Sequence, residues 1–314
     1  MSRKTPLVIV LGPTATGKTE IAVYLAKAFQ GEVIGADSMQ IYKHMDIATA
    51  KPNEEEMGGV PYHLIDFLDF GESFSVAQYV ALAKKTIAGV CERGKLPVLC
   101  GGTGLYISSL ADNISFEEHT GQSEIRNKLK SVLEEKGALY LHGELSKCDP
   151  ILAGKLHPNN TGRVLRALEV FESTGVPMSE HQKKARQNPP EYDLCMIGLC
   201  YHDRQKLYDR IDERVDKMMK QGLLLEAKAL LDSGQMGGTA RQAIGYKELE
   251  RFFSGRETKS AAIEAIKRET RRYAKRQMTW FRRDKRINWI AVDACDAKRE
   301  AFLILQEFQK GEQT

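Results

Sequence analysis

No stretch of the 314-residue chain approaches the ~20 consecutive apolar residues that a membrane-spanning helix needs, which excludes an integral helical membrane protein. Low-complexity tracts, heptad runs and internal repeats are also missing, which leaves ordinary folded domains. The six cysteines (Cys91, Cys100, Cys148, Cys195, Cys200, Cys295) are scattered, with no Cys-x-x-Cys pair and no paired histidines beside them. That argues against a zinc site and fits reduced thiols in a cytoplasmic protein. The apolar run after Met1-Ser2-Arg3-Lys4-Thr5-Pro6 is too short for a signal peptide and stops at Gly-Pro rather than at a small-residue cleavage site.

What is present is a hydrophobic content of 42%, enough core for one large or two modest domains. The net charge of +4 hides an asymmetry. Between Lys267 and Arg286 there are ten Lys/Arg against two acids, so the rest of the chain is net negative. Such a segment, interleaved with Tyr273, Trp280 and Phe281, suits a polyanionic partner. The competing reading is a helix whose charges merely solvate the surface.

The chain is organised around Gly12-Pro13-Thr14-Ala15-Thr16-Gly17-Lys18-Thr19, which follows the apolar run Leu7–Leu11 and leads into residues with helical spacing. Strand, glycine-rich loop and helix form the setting of a phosphate-binding P-loop. Glycines let backbone N–H groups turn toward a phosphate, and the helix N-terminus adds partial positive charge. Lys18 can reach the terminal phosphate, and the Thr19 hydroxyl can ligate Mg²⁺ held between phosphates.

A second short strand pattern ends at Asp37-Ser38-Met39-Gln40, where a parallel strand delivers polar groups; Asp37 also suits an N-cap. Residues 61–66 read as another short strand, with His63 a structural hydrogen-bonding group. Ser75 to Glu92 reads as an amphipathic helix, followed by the buried-strand pattern Leu96–Cys100 and then Gly101-Gly102-Thr103. Two glycines there permit close backbone approach and leave the Thr103 hydroxyl free, or else form a plain tight turn. From Ser115 to Pro190 the chain is polar and helical, read as an insertion. Within it Arg163 and Arg166 share one helix face, either as contacts or as a solvated surface. A core strand (Cys195–Tyr201), a long helix from Asp203 to about Gly222 and the basic helix Lys267–Arg283 complete the pattern. The expected fold is therefore α/β: a P-loop NTPase-like core with a parallel sheet flanked by helices (1–114 and 191–314) and an all-helical insertion domain (115–190).

P-loop kinases and hydrolases place a metal-organising acid after a second apolar strand. Here Leu96–Cys100 ends in Gly-Gly-Thr, and the available acid is Asp37. An Asp beside a phosphate-bearing electrophile can accept a proton from an incoming nucleophile. The residues thus point to group transfer from a (pyro)phosphate compound to an acceptor of nucleic-acid type.

Residues 12–19, 37–42, 49–52 (Thr-Ala-Lys-Pro), 101–106, 166–170, 242–248 (Gln-Ala-Ile-Gly-Tyr-Lys-Glu) and 273–281 together resemble the bacterial tRNA dimethylallyltransferase family, in family order over nearly the whole chain. The resemblance implies transfer of a dimethylallyl group from dimethylallyl diphosphate to N6 of the adenosine 3′ of the anticodon, in tRNAs reading codons that begin with U. It implies a P-loop that holds the donor's diphosphate through residues 12–19, with Mg²⁺ on Thr19. Asp37 becomes the general base, Thr103 its neighbour, and Lys18 and Arg214 the stabilisers of the leaving pyrophosphate. It implies tRNA (anticodon stem-loop) contacts at Asp37, Ser38, Met39, Gln40, Thr103, Arg126, Gly162, Arg163, Val164, Leu165, Arg166, Lys275, Arg276 and Gln277. Nothing demands more than a monomer, and no membrane is involved. One departure is Ala48, usually Gly in the family, which is strained if that position needs φ > 0. Rival readings are a small-molecule kinase, an adenylate isopentenyltransferase and a non-catalytic RNA-binding module.

Overall fold

Strand β1 (Thr5–Leu11) is buried on both faces from Leu7 onward, so it must lie between two layers of helices. Its side chains alternate as strand geometry requires. Leu7, Ile9 and Leu11 enter one apolar cluster, and Val8 and Val10 enter the cluster on the opposite face. Each such fully buried aliphatic side chain contributes about 1.5–3 kcal/mol. The structure is a computed structural model describing residues 4–116 and 122–311.

After β1 come α1 (Lys18–Ala28), β2 (Gly31–Gly35), α2 (Glu54–Met57), β3 (Tyr62–His63), α3 (Val76–Glu92), β4 (Leu96–Gly101) and α4 (Gly104–Ala111). The helix expected over 75–92 is α3; the Ser75 hydroxyl accepts from Gln78 N–H (3.2 Å), and Tyr79, Val80, Ala83, Ile87 and Val90 are its buried face. Helices α5 (Gln122–Cys148, broken at Gly137), α6 (Pro150–Ala153), α7 (Thr161–Thr174) and α8 (Met178–Ala185) make a compact helical unit over Asp112–Pro190 with its own core of Leu129, Leu141, Leu145, Val164, Leu165 and Leu168.

The other unit resumes at Glu191 with β5 (Tyr192–Cys200), α9 (Arg204–Lys220), α10 (Leu223–Asp232), α11 (Gly238–Arg241), α12 (Tyr246–Phe253), α13 (Lys259–Phe281), β6 (Ile287–Ala291) and α14 (Ala297–Gly311). Its six strands form one parallel sheet in the order β3-β2-β4-β1-β5-β6. This is the α/β P-loop architecture expected from the alternation of elements. Helices α1 and α14 cover one face; α3 and α4 cover the other. A further core joins the loop carrying Ile41, Tyr42 and Met45 to α9, α10, α12 and α13.

One local expectation needs correction, and one conditional strain does not arise. The basic segment is the C-terminal part of a longer helix, because Thr258 caps α13 through Ala261 N–H (3.2 Å), well before Lys267. Ala48 is not at positive φ; the left-handed residues of the loop between β2 and α2 are His44 (φ 63°) and Ala50 (φ 49°). The Ala48 methyl instead packs where a side chain on Gly245 would stand, 3.1 Å away.

His63 is structural, as expected: its Nε2 lies 2.6 Å from Glu32 Oε2. Arg93 donates to the same buried carboxylate at 3.0 and 2.6 Å. The Arg93 hydrogen bonds, opposed by burial and aided by His63, hold the Glu32 carboxyl at about 2. A depressed carboxyl pKa stabilises the fold above the unfolded value and loses that contribution as pH falls toward 2. Glu32→Gln should therefore cost about 1–2 kcal/mol at pH 7, discounted because Arg93 is half exposed, and far less at pH 3. Denaturant titrations at the two pH values check this; equal losses at both count against the ion cluster.

Candidate active site

The loop between β1 and α1 is shaped as an anion cradle. Gly12 has φ 146°, and a Cβ there would stand 2.4 Å from Leu199 O, so no other residue fits. Ala15 (φ 66°) and Gly17 (φ 81°) are left-handed, which turns successive amides toward one point. The Thr16 hydroxyl donates to Pro13 O (2.9 Å), closing the loop on itself. The N–H groups of Ala15, Gly17, Lys18 and Thr19 have no acceptor among the described residues, and the last two open α1.

Lys18, Asp37 and Thr103 stand beyond the carboxyl ends of β1, β2 and β4, three neighbouring strands of the sheet. Ala36 N–H donates to Cys100 O (2.8 Å) and Thr103 N–H to Ala36 O (3.1 Å), which clamps the two strand ends together. Gly101 permits this: a Cβ there would lie 2.1 Å from Ala36 O. Asp37 does serve as a cap, of a turn rather than a helix, because its Oδ1 accepts from Met39 N–H (2.9 Å) and Gln40 N–H (3.4 Å). Its Oδ2 has no partner among the described residues. Thr103 Oγ1 accepts from Ser38 N–H (3.0 Å) and lies 3.3 Å from Ser38 Oγ.

Arg214 comes from α9, and its Nη1 donates to Thr14 Oγ1 (3.4 Å). Lys18 Nζ folds back onto Pro13 O (2.7 Å). Burial lowers the Lys18 pKa to about 8, with Arg214 pushing the same way and Cys100 and Asp37 opposing. Burial also lowers the Arg214 pKa, against the pull of Asp37. Two cations whose charge is costly in the free protein face one carboxylate at the mouth of the cradle. That is the electrostatic signature of a site made for a polyphosphate. For Mg²⁺, no cluster of three His, Cys, Asp or Glu that could cage a metal exists among the described residues. The donor set present, the Thr19 hydroxyl at a phosphate cradle, fits a magnesium ion whose other ligands are substrate phosphates and water.

The residues expected to touch RNA divide. Lys275 and Arg276 are exposed on α13 without an ion-pair partner among the described residues; Arg276 lies over the Tyr273 ring at 5.7 Å. Other cations of α13 are neutralised: Arg271 binds Asp212 (2.5 Å) and Lys267 binds Asp216 (2.8 Å), both acids on α9. Gln277 is buried (5% exposed) and is no surface contact. Ser38 and Met39 stay at the turn after β2, while the Gln40 amide is committed to Thr49 O (3.1 Å) and Ala50 O (3.0 Å). Within the helical unit, Gly162 and Arg163 are exposed at the start of α7. Arg126 and Arg166 share the buried carboxylate of Glu169 at 3.0 and 3.3 Å. Val164 and Leu165, by contrast, face that unit's core.

Sequence reasoning missed Glu226. From α10 its carboxylate accepts from the N–H groups of Asp46, Ile47 and Ala48 (2.9, 2.7 and 3.1 Å) and from the Tyr246 hydroxyl (2.7 Å). Lys51 completes the same scaffold, bonding Tyr42 O, Asp46 and Asp66. Through Gln40 this scaffold is joined to the Asp37 turn. No local motif announces Glu226; the only hint is an acid that directly follows three leucines at the start of α10.

The chain is similar to known proteins over most of its length. A family model described as IPP transferase matches residues 40–284. The tRNA dimethylallyltransferase of Caldanaerobacter subterraneus subsp. tengcongensis is 50% identical over 290 residues, covering 91% of this chain and 92% of the relative. The crystal structure of the full-length tRNA isopentenylpyrophosphate transferase of Bacillus halodurans superposes with a TM-score of 0.72 at 44% identity, over 99% of this chain and 100% of its own. A eukaryotic dimethylallyltransferase acting on tRNA gives a TM-score of 0.72 at 32% identity, over 89% of this chain and 70% of its own. With the P-loop core, the strand-end acid and these matches in place, the chain belongs to the tRNA dimethylallyltransferase family of prenyl-transferring enzymes.

Proposed function

We propose that this enzyme transfers a dimethylallyl group from dimethylallyl diphosphate to N6 of the adenosine 3′-adjacent to the anticodon in tRNAs reading U-starting codons. The observation that carries the reading is the meeting of one carboxylate, Asp37, with two half-buried, desolvated cations, Lys18 and Arg214, at a phosphate cradle whose neighbouring strand β4 ends without an acid. The amine nitrogen attacks C1 of the allylic donor, the C1–O bond breaks with its electron pair on the diphosphate, and Asp37 Oδ2 takes the amine proton. Lys18, Arg214 and the amides of Ala15, Gly17, Lys18 and Thr19 offset the charge growing on the leaving oxygens. Mg²⁺, held by Thr19 and the donor's phosphates, would neutralise part of that charge. Thr103 orients the Asp37 turn through Ser38. The adenine must leave its stack to reach these groups. Exposed Lys275 and Arg276, and the Arg126–Arg166 pair, support contacts to RNA phosphates. Six free thiols suit a cytoplasmic enzyme.

The test is transfer of labelled dimethylallyl from its diphosphate to an anticodon stem-loop RNA, with Mg²⁺, with and without ATP, and beside free AMP. Label in the RNA independent of ATP is expected. Label only in AMP assigns an adenylate prenyltransferase, and ATP-dependent label on a small acceptor assigns a kinase.

A further inference from the structure

The deepest side chain of α13 that reaches the cradle is Gln277. Its Oε1 accepts from Thr14 N–H (2.9 Å), and its Nε2 donates to Gly102 O (2.9 Å). One amide therefore bridges the P-loop to the backbone that carries Thr103. The fit is close: a Cβ on Gly102 would stand 2.2 Å from Gln277 Nε2. One turn earlier on the same face, Tyr273 lies beside Thr103 and Gln277. Lys275 and Arg276 are on the exposed side of the helix.

Among the described residues, the Thr14 amide is the one P-loop N–H with a side-chain acceptor. Fixing it fixes the Pro13–Thr14 peptide plane, whose carbonyl oxygen accepts from Thr16 Oγ1 (2.9 Å) and Lys18 Nζ (2.7 Å), and with it the entry into left-handed Ala15 and the amides that follow. Gly102 O, the other end of the bridge, lies next to Thr103. A Gln is needed because the two ends demand an acceptor and a donor on one planar group. We propose that Gln277 is a positioning residue that sets the diphosphate cradle and ties it to the Thr103 strand end, rather than an RNA contact. This rests on the reading that the cradle binds the donor's diphosphate.

The full-length protein and its Gln277→Met and Gln277→Glu variants are titrated with inorganic pyrophosphate plus Mg²⁺ and, separately, with an anticodon stem-loop RNA. In Gln277→Met, pyrophosphate affinity should fall about tenfold while RNA affinity stays within about twofold. In the transfer assay the donor KM should rise and the RNA KM stay unchanged. In Gln277→Glu an ionised carboxylate accepts from Thr14 but cannot donate to Gly102, whereas the protonated acid does both. Its affinity relative to the wild type should therefore climb toward one as pH is lowered from about 8 to about 5.5. Should Gln277→Met fail to fold, this pH-dependent recovery still decides the matter. Lost RNA affinity with intact pyrophosphate affinity overturns the proposal in favour of an RNA contact. A lower melting temperature with both affinities and the pH profile unchanged overturns it in favour of plain core packing. Wild-type protein that binds pyrophosphate but transfers no prenyl group defeats the donor assignment alone and leaves the bridge standing.

Discussion

Asp37→Asn lowers the rate of prenyl transfer by about 10²–10⁴-fold while leaving the melting temperature within a degree or two of wild type. The two carboxylate oxygens have separate duties. Oδ1 caps the turn through Met39 and Gln40 N–H, and Oδ2 has no partner among the described residues. An Asn side-chain oxygen can keep the first duty, but its amide cannot accept the proton released when the adenosine nitrogen is alkylated. Asp37→Ala removes both, so it should lose the same activity and also about 0.5–2 kcal/mol of stability from the lost cap. Single-turnover rates and thermal melts of the two variants separate these effects. An Asn variant retaining more than about a tenth of the wild-type rate would remove Asp37 from the role of base.

Lys18→Met should lose activity about 10²–10³-fold and yet stabilise the free protein. The ammonium is half-buried beside Arg214, and desolvation there brings its pKa down from 10.5 to about 8. The charged form is therefore penalised on folding. That penalty is fully present below pH 8 and fades between pH 8 and 10.5, where the folded protein binds fewer protons than the unfolded chain. Replacing Lys18 should accordingly gain about 1–2 kcal/mol at pH 7 and nothing near pH 10.5. Denaturant titrations across that range check the sign, and a destabilised variant at pH 7 refutes the account. The same shift predicts that donor affinity weakens above about pH 8, because the free enzyme must then take up a proton to bind the fully ionised diphosphate well.

Much of this site was legible along the chain because its parts are local. The P-loop needs only spacing within eight residues and a strand before it, and Asp37 and Thr103 were marked by their places after apolar runs. Charge counting did worse. It registered the cations of α13 but not Asp212 and Asp216 on α9, which absorb two of them, since no linear pattern links helices some fifty residues apart. Gln277 and Glu226 act across 263 and about 180 residues of sequence and carry no signature that distinguishes a buried bridge from a surface polar group. Val164 and Leu165 fell within a segment read as an RNA contact, although their apolar spacing with Leu168 already marked a core face. The conditional strain at Ala48 does not arise, because the left-handed positions of its loop are His44 and Ala50.

The bridge from Gln277 to Thr14 also bears on how the enzyme is made. Translation delivers the P-loop first and its acceptor 263 residues later. While the chain is still on the ribosome, β1, α1 and β2 have emerged but α13 has not, and Thr14 N–H has no side chain to hold it. Synthesis of α13 thus completes a loop that β1 and α1 begin: before Gln277 is made, the Thr14 amide lacks the acceptor that fixes it.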